Sequence, residues 1–123
     1  MEHSHSVNDI SKTIIVIIVG DVNTSNFAKL DIEVCMLALN LNYKIIFDFS
    51  HTTVTIGMGE AYFWFATHLD KINTLFRRIP TALIANDKNE DFFHFVETTW
   101  TNNGIKTKMF KDLEPAVDWL KRY

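Results

Sequence analysis

The sequence predicts an α/β domain. Its centre is a largely parallel four-stranded core sheet flanked by four helices, with room for a short extra strand at the N-terminal edge. Three observations predict this. Four apolar runs, at 13–19, 43–49, 81–86 and 105–110, alternate with amphipathic stretches of helical length. The first run, TIIVIIV, is continuously β-branched or apolar, which suits a strand covered on both faces. A helix in every crossover makes neighbouring strands parallel and the connections right-handed.

Each element has its own signal. Residues 1–12 read as a flexible tail, with an edge strand allowed near Val7 to Ile10; residues 13–123 read as a single domain. Gly20 and Asp21 are expected to end the first core strand, and Thr24 or Ser25 to cap the helix that follows. That helix carries Phe27, Leu30, Val34, Leu37 and Leu41 at spacings of three and four, with Asp31 and Glu33 off the stripe. YKIIFDF, 43–49, is the second core strand, and 50–57 a loop. One long helix is predicted from Met58 to Arg78, with Ala61, Phe65, Leu69, Ile72 and Phe76 on its inner face; Pro80 stops it. TALIAN, 81–86, is the third core strand. The third helix, 91–101, presents Phe92, Phe93, Val96 and Trp100. Gly104 ends it in the left-handed conformation. IKTKMF, 105–110, alternates as an edge strand whose lysines discourage further pairing. Asp112 is placed to cap the last helix, docked by Leu113, Val117 and Leu120, with Pro115 tolerated in its first turn.

Composition narrows the function. A chain of 123 residues that is 47% hydrophobic can bury a core without staples. Twelve basic against 15 acidic residues argue against nucleic acid as a partner, because phosphate binding needs concentrated Lys and Arg. One cysteine, Cys35, excludes an internal disulfide and fits a reducing compartment. The opening MEHSHSVNDISK lacks the basic region of a signal peptide. IIVIIV is far short of the roughly 20 residues of an integral membrane segment. A soluble cytoplasmic protein is the expectation.

The stretches TIIVIIVGDVNTSNF, YKIIFDFSHTTVTIGMGEA, TALIAND and DLEPAVDWL together resemble the STAS domain, the anti-sigma factor antagonist fold, over residues 13–122. The likeness is nearest to the divergent small bacterial STAS-like proteins related to lipid-binding Sec14 domains. The resemblance implies a regulatory or binding module without enzymatic activity. In the family, a loop after Asp-x-Ser ends in Asp-Ser-Ser-Gly, and a partner kinase phosphorylates the second Ser. Aligning Asp48, Ser50 and Gly59 with that pattern puts Ile56 at the Asp and Gly57 and Met58 at the two serines. The family's phospho-switch therefore has no hydroxyl at its usual place.

Candidate chemistry is sparse. Ser50, Thr52, Thr53 and Thr55, with Gly57 and Gly59, make a candidate regulatory loop. The two glycines suit a tight turn and close packing; an exposed amide cradle for an anion is the competing reading, opposed by Glu60. Asp21, Asp48 and Asp87 each follow a core strand and would share one rim of the sheet, with Lys111 nearby in sequence to the last strand. That pattern raises an acidic-rim phosphoacceptor or enzyme as an alternative; strand termination and helix capping explain the same acids. His51, His68 and His94 lack zinc-site spacing, and Cys35 reads as small core filler. No catalytic, metal or cofactor site is assigned. EAYFWFATHL, 60–69, is the densest local feature: Tyr62, Phe63 and Trp64 point around the helix beside the Ala61–Phe65 face, and Leu75 is also off the main stripe. These four residues form a candidate surface for a protein partner, a homodimer or a small apolar, lipid-like ligand. An intramolecular core is the competing explanation.

Overall fold

The computed structural model describes the backbone of residues 1–71 and 74–123 and the side chains of residues 1–64 and 74–123. The expected inner-face positions Phe65, Leu69 and Ile72, and His68, lie outside the described side chains. Five strands, β1 (Glu2–Asn8), β2 (Thr13–Val22), β3 (Lys44–Val54), β4 (Thr81–Ile84) and β5 (Thr107–Phe110), form one sheet in sequential order. The helices are α1 (Thr24–Leu41), α2 (Met58–Lys71), α3 (Glu90–Asn102) and α4 (Leu113–Leu120). A 3-10 turn, Thr74–Arg78, precedes β4. Strands β2 to β5 pair in parallel, as expected, and β1 joins β2 antiparallel.

Sequential order decides where the helices go. Every crossover from β2 to β5 steps the same way, so right-handed connections place their helices on one face. That face holds the main core: Ile14, Val16, Ile18, Phe27, Phe47, Phe49, Phe93 and Trp100 among others. Helix α4 has no strand after it and folds onto the opposite face, where Ala116 and Leu120 pack with Ile46, Ala82 and Ile84. Eight residues of helix span only about 12 Å, so the α4 cluster reaches β3, β4, β5 and Ile15 of β2 but leaves Ile17 and Val19 uncovered. Ile17 and Val19 are 41% and 49% exposed there. The continuous apolar run of β2 is thus half open, not covered along its length on both faces.

Several expected boundaries move. Residues 2–8 form a full edge strand instead of a loose tail, although all seven are exposed and polar in the main. Backbone pairing with β2 supplies the order that apolar burial does not. Helix α1 is capped by Asn23, whose side chain accepts from the Asn26 backbone while Asn26 answers on the Asn23 backbone. Thr24 and Ser25 are the first helical residues instead. The buried face of α1 is Phe27, Leu30, Asp31, Val34, Cys35 and Ala38. It follows the 3.6-residue period toward Asp31 and Cys35, so Leu41 is exposed and Asp31 is inside. The last five residues of the predicted long helix, 74–78, turn as a 3-10 helix instead of an α-helix, with the Ile79 amide donating to Phe76 O. Pro80 forbids a longer run and the chain must turn into β4. In α4, Asp112 sits at the N-cap without a side-chain bond, and Leu113 is exposed; Ala116 takes its place in the core.

Cys35 is buried, with its Sγ 3.6 Å from Asp31 Oδ1. Burial foremost, then the neighbouring Asp31 charge, pushes the thiol far above its ordinary value of 9.0. A raised pKa in the folded state keeps the thiol neutral while the unfolded chain ionises. Its contribution to stability is therefore full below that ordinary value of 9.0 and declines as pH rises through and beyond it. The expected outcome is that native protein resists iodoacetamide at pH 8 and reacts at the unfolding rate. Rapid stoichiometric labelling without unfolding would contradict this.

Candidate functional site

The rim at the C-terminal ends of β2 and β3 is where the candidate loop lies, and it is more strand than loop. β3 continues to Val54, alongside β2 to Val22, so Ser50, Thr52 and Thr53 are strand residues. The continuation depends on one extra residue. Ile17 faces Asp48, but Val19 faces His51, so β3 bulges between them. Asp48 Oδ1 holds the bulge by accepting from the Ser50 amide at 2.9 Å and the Ser50 hydroxyl at 2.6 Å. The bulge resets the alternation and turns both Phe49 and Thr52 inward. Sequence alternation ends at Phe49, and for this reason 50–54 reads as loop.

Two asparagines clamp this arm to the start of α3. Buried Asn89 donates to Phe49 O at 3.0 Å and to Thr52 Oγ1 at 3.1 Å, and accepts from the Asn86 amide at 2.8 Å. Asn86 donates to Ser50 O at 3.0 Å and accepts from the Lys88 and Asn89 amides. Neither asparagine stands out in sequence. The DKNED stretch reads as a helix start, but the Asn89 side chain reaches across to β3 instead of capping α3.

The candidate hydroxyls are therefore unequal. Thr52 is buried and donates to Phe49 O at 2.7 Å. Ser50 is engaged by Asp48, and Thr55 donates to Val22 O at 3.1 Å. Thr53 is exposed and, among the described residues, makes no side-chain hydrogen bond. Gly57 precedes α2, its carbonyl accepting from the Ala61 amide at 2.8 Å, and Gly59 lies in the first helical turn. At neither does an added Cβ meet an atom within 4 Å, and the left-handed glycines are Gly20 and Gly104. Close packing therefore does not explain Gly57 and Gly59, and neither needs a left-handed conformation.

The aromatic cluster divides. Tyr62 and Phe63 are each 72% exposed, and Met58 in the same turn of helix is 53% exposed. Trp64 is half-buried and meets Phe27 edge-on at 5.7 Å. Leu75 sits apart, in the 3-10 turn, 42% exposed. The four expected surface residues thus lie in three environments.

The acids also separate. Asp48 spends an oxygen on Ser50, while Asp87 pairs with Lys111 at 2.6 Å, and Lys111 pairs with Glu90 at 2.7 Å. The hydrogen bond from Lys111 holds the Asp87 carboxyl below its usual value, and the same contact raises Lys111. Among the described residues, no three His, Cys, Asp or Glu side chains converge as a metal-ion site. No helix among them is long and apolar enough to cross a membrane.

The fold matches a solved structure. An anti-sigma factor antagonist from Mycobacterium paratuberculosis superimposes with a TM-score of 0.57 at 13% identity, over 98% of this chain and 95% of that one. The fold is STAS-like. No protein-family model and no curated protein sequence matches the chain. The STAS-like likeness is one of architecture: a mostly parallel five-stranded sheet with four helices.

Proposed function

We propose that this chain is a non-enzymatic protein-binding module of the small bacterial STAS-like type, and that it binds a second protein chain through the start of α2. The observation that carries this reading is the exposure of Tyr62 and Phe63, 72% each, beside exposed Met58. Large aromatic side chains grouped on one turn in water are characteristic of binding surfaces, whose cores favour Tyr, Phe and Met. The same turn follows the β3 arm, which Asn86 and Asn89 bond to the start of α3, so the backbone leading into the surface is held in place. The solved neighbour's description as an anti-sigma factor antagonist supports a protein-directed role for this shape. The two serines of the family's loop fall here at Gly57 and Met58, the phosphorylated one at Met58, so contact is not gated by phosphate at that point.

Native mass spectrometry of the protein purified from its own host tests this. A stoichiometric second chain is expected, either another copy or a different protein. It should be lost in the Tyr62→Glu/Phe63→Glu double variant with thermal unfolding unchanged. A bare monomer, or a complex that survives the double substitution, overturns the reading. A bound small apolar molecule without a second chain would favour the carrier function instead. Trp64→Glu serves as the contrast. It places a charge against Phe27 and is expected to lose about 3 kcal/mol of stability.

A further inference from the structure

At the opposite end of the strands from the α2 surface, the chain gathers positive charge that its overall balance does not suggest. A cleft of 800 Å³ opens below the N-terminal ends of β2 to β5, a size typical of small-molecule sites. Lys12, Lys44, Arg78 and Lys106 line it, four of the 12 basic residues in a chain of net charge -3. Among the described residues that line it, none has an acidic side chain.

Register builds this row. The Lys44 amide donates to Lys12 O at 3.0 Å, the Ile45 amide to Pro80 O at 3.1 Å, and the Thr81 amide to Lys106 O at 2.9 Å. Three lysines thus stand at the entries of β2, β3 and β5, within a span of about 14 Å for three inter-strand steps. Arg78 joins them from the 3-10 turn. Two of the cations are held in place: Lys44 Nζ donates to Leu120 O at 2.8 Å, and Lys106 Nζ lies 4.9 Å from the Tyr123 ring centre. Lys12 and Arg78 are exposed and, among the described residues, have no ion-pair partner. The adjoining carboxylate, Asp9, is engaged by the Tyr43 hydroxyl at 2.6 Å.

The remaining walls are largely apolar side chains, with the polar Ser11 and Asn42 among them. Leu39, Leu75 and Ile79 face the same space as the rings of Tyr43 and Tyr123. Like charges repel one another when no anion sits among them, and a concave low-dielectric wall strengthens their field. Cations on the rim with an apolar lining recognise a molecule that has both parts. We propose that this cleft binds a small amphipathic anion, with a phosphate or carboxylate head toward Lys12 and Arg78 and an apolar body against Leu39, Leu75 and the two tyrosines.

Octyl phosphate titrated into ¹⁵N-labelled protein tests the site, with inorganic phosphate and 1-octanol as separate probes. Octyl phosphate should shift the backbone amides of Lys12, Tyr43, Lys44, Lys106 and Tyr123. Each half-molecule alone should bind about tenfold more weakly or less. Lys12→Gln/Arg78→Gln should weaken octyl phosphate by about tenfold, with unchanged thermal unfolding, since both positions are exposed. Octanoate in place of octyl phosphate distinguishes a carboxylate from a phosphate head, and either one binding supports the site. The proposal is overturned by equal affinity in the double variant, or by shifts centred on Tyr62 and Phe63 or on Ile17 and Val19. It is also overturned if inorganic phosphate binds as tightly as the octyl ester, or if no probe shifts the cleft. Because the α2 surface lies at the other end of the sheet, neither result bears on the protein-binding reading.

Discussion

Phe49→Ala is expected to lower the free energy of unfolding by about 3–5 kcal/mol. Phe49 is 1% exposed and joins four rings into one unit. It stacks on Phe93 at 4.4 Å and on Phe27 at 5.6 Å, and tilts against Phe47 at 5.8 Å. These partners come from α3, α1 and β3 itself, so the ring ties two crossover helices to the central strand. Removing it opens a cavity that well-packed aromatic neighbours fill poorly. A domain of this size is stable by about 5–15 kcal/mol, so the loss consumes a large share of the total. Chemical denaturation followed by circular dichroism measures it. Phe49→Leu, which keeps part of the volume, should lose less than half as much. A loss below about 1 kcal/mol in the alanine variant would mean that the ring cluster does not carry the core.

Asn89→Ala is expected to lose about 2–3 kcal/mol and to loosen the β3 arm. The side chain of Asn89 is small and contributes little apolar area, so the effect comes from hydrogen bonds. Its amide nitrogen serves Phe49 O, Thr52 O and Thr52 Oγ1, and its oxygen serves the Asn86 amide. Deleting it strands acceptors at a position 4% exposed, where water has little access. Hydrogen exchange should separate this from general destabilisation. The Asn86 amide loses its acceptor and should exchange much faster, while the paired amide of Ile45 on β3 keeps its protection. Equal acceleration at both amides would show that Asn89 has no local role. If the α2 surface is the binding surface, the variant should also bind its partner more weakly, because the arm leading into Met58 is no longer fixed.

What could be read in the sequence follows from how burial is written there. Helix α3 was legible in detail, since Phe92, Phe93, Val96 and Trp100 repeat at helical spacing and all four are buried. The parallel order of β2 to β5 was legible because each crossover contains a helix. An N-terminal edge strand was legible only as a possibility near Val7 to Ile10; the extent of β1 was not, because Glu2 to Asn8 carry no apolar pattern and are ordered mainly by backbone pairing. The end of β3 was not, because Asp48 and Ser50 bond to each other to form a bulge, and a bulge erases the alternation that marks a strand. The candidate surface was legible only as a concentration of aromatic residues. Helical spacing says which of Tyr62, Phe63 and Trp64 share a face, while the position of Phe27 decides that Trp64 is covered and the other two are open.

By itself, then, the amino-acid order determined the α/β class, the direction of the core strands and the rings of the core, because these depend on local periodicity and chain connection. Only the tertiary structure decided the one-sided placement of the crossover helices, the open face at Ile17 and Val19, the Asn86–Asn89 clamp and the row of Lys12, Lys44 and Lys106. Each of these brings together residues distant in sequence, and strand register, which no local spacing specifies, sets which of them meet.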